Sequence, residues 1–142
     1  DLHASNGVVH VIDHVLTIPK SISETASFAN LTSLTTALSQ VQLVDTVNNL
    51  QHATVFAPTN TAFDMVNSHS PDLGSDQLAH ILKYHVAPQV KYSTDLLNDG
   101  NVRNLDDEDI QITSDENGVK ADAATVIIPD VLVSNGVVHV ID

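Results

Sequence analysis

Ala53-Thr54-Val55-Phe56-Ala57-Pro58-Thr59-Asn60-Thr61-Ala62-Phe63 changes character at its midpoint. Ala53–Ala57 is short, apolar and rich in residues that favour a buried strand. Pro58 has no N–H to give to a sheet ladder, so it stops that strand. Asn60 or Thr61 then offers a side-chain oxygen to cap a helix over Ala62–Val66. The stretch is a strand-to-helix corner with an aromatic residue on each side. Phe28, Phe56 and Phe63 are the only phenylalanines, and the reading places all three in the core.

Upstream of this corner the periodicity is helical. Leu31, Leu34, Leu38 and Val41 line one helix face, and Leu43, Val44, Val47 and Leu50 suit a second, short helix. Downstream, Leu78, Ile81, Leu82 and His85 share the face of a helix that starts at Gly74 or Ser75 and is closed off by Pro88. The final third reads as strands. Lys91–Leu97 precedes the turn Asn98-Asp99-Gly100-Asn101. Ile110–Thr113 and Val119–Ala121 flank Asp115-Glu116-Asn117-Gly118, and Val131–Val133 and Val137–Ile141 flank Asn135-Gly136, both hairpin signals. Helices first and a mostly antiparallel sheet last make an α+β domain.

Ser5-Asn6-Gly7-Val8-Val9-His10-Val11-Ile12-Asp13 recurs without change at Ser134–Asp142. An identical nonapeptide one domain length apart points to a parent protein built of tandem repeats. Residues 1–19 are therefore assigned to the terminal strand of a preceding repeat, residues 20–142 to the domain itself, and Lys20–Ser27 to a polar linker. Val8–Ile12 reads as a strand apolar on both faces, hence central. Val8–Leu16 is expected to fill or extend the closing strand position, within its own chain or as a strand-swapped homodimer.

The chain has 142 residues, 42% of them hydrophobic and 4% aromatic, and a net charge of −13 from eighteen acids against five Lys and Arg. That balance disfavours nucleic acid and anionic membranes and suits basic partners or cations. No apolar run reaches the ~20 residues of a membrane span. With no cysteine, disulfide scaffolds, thiol catalysis and Cys-based zinc sites are excluded. One N-glycosylation sequon stands at Asn30-Leu31-Thr32.

Three stretches together resemble the fasciclin-like domain. Thr54–Phe63 is similar to that family's first signature, Tyr84-His85 to its central Tyr-His signature, and Asn135–Asp142 to its second signature, which Asn6–Asp13 repeats. The resemblance covers Lys20–Asp142. It implies helices packed on a wedge of strands, and an extracellular or cell-surface module that works in adhesion or matrix binding rather than catalysis. Pro129-Asp130-Val131 also resembles the Pro-Asp-Ile element through which some animal members bind integrins. Here Ile128 stands where those members carry an acid, and Leu132 follows.

The remaining chemistry is sparse. His10 and His14 would lie about 13 Å apart in a strand, and His80 and His85 point to different sides of a helix, so no metal site is assigned. His85 and His139 lie in apolar stretches. They read either as hydrogen-bonded core histidines or as a pH-sensitive binding surface, and the same alternatives apply to Tyr84. Asp106-Asp107-Glu108-Asp109 fails the EF-hand pattern when the loop is started at Asp95 and reads as a solvated acidic loop. No phosphate-binding glycine loop and no Gly-x-Ser-x-Gly elbow occurs, so no catalytic residue and no cofactor is assigned.

The expectation is an acidic glycoprotein module carrying candidate partner-binding residues Pro129, Asp130, Val131, Tyr84 and His85 and a glycosylation site at Asn30. Its partner is expected to be an extracellular protein or matrix component, with an integrin-like receptor and a polysaccharide among the options. The alternative is a domain that binds polysaccharide or a small ligand.

Overall fold

A computed structural model describes residues 1–13, 18–70, 73–116 and 118–142. The central strand is β3 (Ala53–Pro58), buried along its whole length. It lies between β4 (Val86–Ala87) and β9 (Gly136–Ile141) in a seven-stranded sheet. Beyond β9 follow β8 (Ala124–Val133), β7 (Gly118–Ala121), β6 (Asp109–Asp115) and β5 (Asn101–Arg103). Every pairing is antiparallel except that of β3 with β9, which runs parallel over all six residues of each.

Among the described residues three helices precede β3, α1 (Ile22–Phe28), α2 (Thr32–Gln40) and α3 (Val44–Asn49), and two lie between β3 and β4, α4 (Asn60–His69) and α5 (Ser75–Tyr84). A sixth, α6 (Ser93–Asp99), follows β4. One apolar cluster joins α1, α2, α3 and α5 to the face of the sheet that carries Val55, Val138 and Val140. A second gathers Phe56, Leu96, Val102, Ile110 and Ile141 on the opposite face. This is the expected α+β arrangement, helices on a mostly antiparallel wedge.

The corner forms as read, with the cap one residue earlier. Thr59 Oγ1 accepts the Ala62 N–H at 3.3 Å. The half-buried Asn60 side chain ties three elements together. Its Oδ1 accepts from Ser33 N at 3.0 Å and its Nδ2 donates to Asn30 O at 2.9 Å. At the other end of β3, Asn135 Nδ2 donates to Val47 O and Leu50 O at 3.0 and 2.8 Å, satisfying carbonyls where α3 ends. Gly136 is required beside it, since an added Cβ would stand 1.8 Å from the Ala53 carbonyl oxygen.

Four sequence expectations are corrected. The supposed linker Lys20–Ser27 contains α1. Ser21 and Glu24 form a capping box, and Ile22 and Ala26 are buried. Lys91–Leu97 is not a strand, because Ser93 opens α6 and Gly100, at φ 73°, closes it. Phe28 is outside the core and 73% exposed, whereas Phe56 and Phe63 are buried. The first copy of the nonapeptide is not a central strand. Its Gly7–Val9 (β2) pairs with Leu2–Ala4 (β1) in a separate exposed hairpin, and Val11 and Ile12 lie in solvent. The reason is occupancy. The second copy already fills the slot between β3 and β8, so the fold-back form of the expected strand addition does not occur. The expectation for Val8–Leu16 extends to residues 14–16, which lie outside the described residues, as does Asn117 of the β6–β7 hairpin.

Candidate functional site

Strand β8 is interrupted where it carries Pro129. Its register against β9 slips between Val126 and Ile128 and again between Ile128 and Val131. Pro129 cannot donate to the ladder, and Asp130 takes φ 58°, a left-handed conformation that Asp tolerates better than most residues. The result is a β-bulge. It leaves Ile127, Ile128 and Leu132 about half exposed, with Pro129 between them. Val131 and Val133 turn inward onto the first core cluster.

The bulge is fastened from beneath. The Asp130 carboxylate accepts from Ser93 N at 2.8 Å and from Ser93 Oγ at 2.5 Å, joining β8 to the start of α6. The Asp130 N–H donates to His139 Nδ1 at 3.2 Å, and His139 Nε2 donates to Lys91 O at 2.9 Å. These partners require one neutral tautomer, with the proton on Nε2. Burial holds the His139 pKa below the usual histidine value, against the Lys91 carbonyl and the Asp130 charge, which pull it up. The ring is 0% exposed and stacks on Phe56 with centroids 5.6 Å apart. Thr54 adds a further tie, since its Oγ1 donates to Gln89 O at 2.7 Å and accepts from Lys91 N at 2.8 Å. The segment from Gln89 to Ser93 is thus pinned to the sheet by Thr54, His139 and Asp130.

Tyr84 and His85 stand at the end of α5. Tyr84 Oη donates to Asp122 Oδ2 at 2.9 Å, and Asp122 Oδ1 accepts from Gln111 N at 2.9 Å. Burial, then the Asp122 bond, pushes the Tyr84 pKa up to about 12, so the phenol stays protonated and donating. His85 Nδ1 donates to Ile81 O at 2.7 Å, and burial lowers its pKa also. The His85 carbonyl accepts from Phe56 N at 2.8 Å. Tyr84-His85 and Pro129-Asp130-Val131 are therefore linked through Phe56 and His139, and each is knitted into the frame. The core-histidine reading holds for His139, and Tyr84 fastens α5 to the turn before β8.

Two further features surround the site. An apolar groove of ≈ 250 Å³ lies between α4 and α5, lined by Met65, Val66, Ile81, His85 and Ile141 among others. The acidic run 106–109 is organised around buried Asn104, whose Oδ1 accepts from Asp106 N and Glu108 N at 2.9 and 3.0 Å. Asp106 is half-buried with its Oδ2 2.8 Å from His80 Nδ1, while Asp107, Glu108 and Asp109 are exposed, as a solvated acidic loop requires. Among the described residues no group of three His, Asp or Glu gathers in a metal-binding cluster, and no helix is long and apolar enough to cross a membrane.

Sequence reasoning missed the partners of the bulge. Ser93 falls in a segment whose pattern reads as strand, and Lys91 and Thr54 contribute backbone or a buried hydroxyl. The available signal was Asp95 two residues after Ser93 with Gly100 beyond, the start and stop marks of α6.

The fold and the tied bulge define a class, an α+β domain whose helices cap a seven-stranded wedge closed by a parallel β3–β9 pair. A family model of the fasciclin domain matches residues 29–142, and the chain belongs to the fasciclin domain family. It is 36% identical over 137 residues to a fasciclin-like arabinogalactan protein of Arthroderma benhamiae, covering 96% of this chain and 32% of that protein. It is 30% identical over 145 residues to human periostin, covering 98% of this chain and 17% of periostin. The chain therefore spans a third or less of these relatives. In fold it is similar to a FAS1 domain pair from the insect cell adhesion molecule fasciclin I, with a TM-score of 0.74 at 24% identity, over 100% of this chain and 56% of that one.

Proposed function

We propose that this chain is an extracellular adhesion or matrix-binding module, a binding domain rather than an enzyme, and one unit of a tandem array. The observation that carries the reading is the apolar ridge of Ile127, Ile128, Pro129 and Leu132, held out from the sheet by a bulge that Ser93 and His139 fasten. A half-exposed row of large apolar side chains on a rigid support is what a protein partner uses as an anchor. Asp130 positions the ridge, because its carboxylate is already bonded to Ser93. The net charge of −13 favours a partner whose apolar contact is rimmed by basic groups. The repeated nonapeptide supports the tandem array, and the first copy's exposed Val8, Val9, Val11 and Ile12 leave a strand-exchanged homodimer open to test by mass in solution.

A second reading, a small-ligand domain, draws on the groove between α4 and α5. Its lining of Met65, Val66, Ile81 and Ile141 fits an apolar ligand, and its one phenyl ring, Phe63, is buried and offers polysaccharides no platform to stack on.

Cell attachment to surfaces coated with the domain tests the first reading. Ile128→Ser with Leu132→Ser should reduce attachment while the melting curve stays within a degree or so of wild type, because both side chains are already half in water. Undiminished attachment would remove the ridge from the account.

A further inference from the structure

Phe28 is the one phenylalanine left in water, and it stands two residues before Asn30 in the sequence Phe28-Ala29-Asn30-Leu31-Thr32. Helix α1 ends there in a Schellman turn. Leu31 N–H donates to Ala26 O at 2.9 Å and Asn30 N–H to Ser27 O at 3.2 Å. Asn30 takes φ 56°, the left-handed position that Asn fills when Gly is absent. Leu31 is buried and anchors the turn, and Asn60 Nδ2 holds the Asn30 carbonyl at 2.9 Å. The backbone is thereby fixed, while the Asn30 carboxamide makes no hydrogen bond among the described residues and the residue is exposed. The Phe28 ring meets the Lys20 ammonium 3.5 Å from its centroid and is otherwise open to solvent, 73% exposed.

We infer that Asn30 carries an N-linked glycan and that the exposed Phe28 ring is the platform on which its first sugar rests. The inference is independent of the partner-binding ridge. A sequon needs its Asn accessible and its hydroxyl residue two positions on, here Thr32. In the modification the Asn30 Nδ2–C1 glycosidic bond forms. The C1–O bond to the diphosphate of a polyprenyl-linked oligosaccharide breaks, the polyprenyl diphosphate leaves with the electron pair, and one amide proton is lost. The attached N-acetylhexosamine presents a face of polarised C–H bonds. An aromatic ring carries its negative charge on its faces, so the sugar's C–H face and the ring attract. The Lys20 ammonium occupies one face by the same physics, and the sugar takes the other. Burial of the ring under the sugar accounts for an otherwise costly exposed phenyl.

The test uses the full chain secreted from a eukaryotic host that performs N-glycosylation, with intact mass measured before and after an asparagine-glycan amidase. Wild type should lose a glycan mass on treatment, and Asn30→Gln should carry none. The platform is judged by the melting temperature of glycosylated against amidase-treated protein. The glycan should raise it in wild type and in Phe28→Tyr, and leave it unmoved in Phe28→Ala. Secreted wild type with Asn30 unmodified would overturn the assignment. An equal rise in Phe28→Ala and wild type would overturn the platform, whatever the occupancy.

Discussion

Replacing Asp130 with alanine removes two things at once, and their sizes follow from the geometry. The carboxylate accepts from Ser93 N and Oγ. Hydrogen bonds to a charged group contribute about 1.5–3 kcal/mol, and a half-buried site at a helix start, where water can replace part of the bonding, belongs at the lower end. The backbone at φ 58° then adds roughly 1–2 kcal/mol of strain for a residue with a Cβ and no local polar compensation. Asp130→Ala should therefore cost about 2–4 kcal/mol. Asp130→Gly loses the bonds without the strain and should be about 1 kcal/mol less damaging. Asp130→Asn keeps one acceptor and the tolerance of the left-handed region, and should cost about 1 kcal/mol. Urea unfolding monitored by circular dichroism, with the m-value checked for constancy, measures all three. The expected order of cost is Asn, then Gly, then Ala. A loss below about 0.5 kcal/mol for Ala, or a Gly variant at least as costly as Ala, would refute the fastened bulge.

Other outcomes follow from the same contacts. His139 is buried neutral with its pKa lowered, so the unfolded chain takes up a proton first as pH falls. The stability it contributes is complete above the unfolded value of about 6.5 and declines below it. His139→Gln should flatten the fall in melting temperature between about pH 7 and pH 5, and an unchanged slope would contradict the assignment. Phe56→Ala should cost roughly 3–5 kcal/mol in denaturant melts, whereas Phe28→Ala in unglycosylated protein should stay within about 0.5 kcal/mol. Gly136→Ala drives a Cβ onto the Ala53 carbonyl. It should cost at least about 3 kcal/mol or prevent folding, and a stable variant would mean the parallel β3–β9 pair yields easily.

Much of this architecture was readable because the deciding signals are local. Pro58 after a short strand-forming run and the Asn-Gly pair at 135–136 act through their own neighbours, whereas the helix cap falls on Thr59 and not on Asn60 or Thr61. What escaped was decided at a distance or by weak local signals. Ser21 and Glu24 spell a capping box, but α1 carries few apolar residues besides Ile22 and Ala26, so its pattern reads as a linker. Leu96 and Leu97 are adjacent rather than periodic, so the α6 segment reads as strand. The two identical nonapeptides make the point most directly. One is a central strand and the other half of an exposed hairpin, because only one slot exists between β3 and β8. At the candidate site, Pro129-Asp130 announced a turn. Its fastening to Ser93 and His139 depends on residues 37 and 9 positions away, which no local pattern records.

The most direct test of the ridge is a hydrogen–deuterium exchange footprint of the domain, free and bound to a partner recovered from native extracellular material. The account predicts that added protection centres on residues 126–133, and that Asp130→Gly weakens both the binding and the footprint. Protection centred instead on Met65–Leu82, with residues 126–133 exchanging as in the free domain, would contradict it and place the binding surface at the apolar groove.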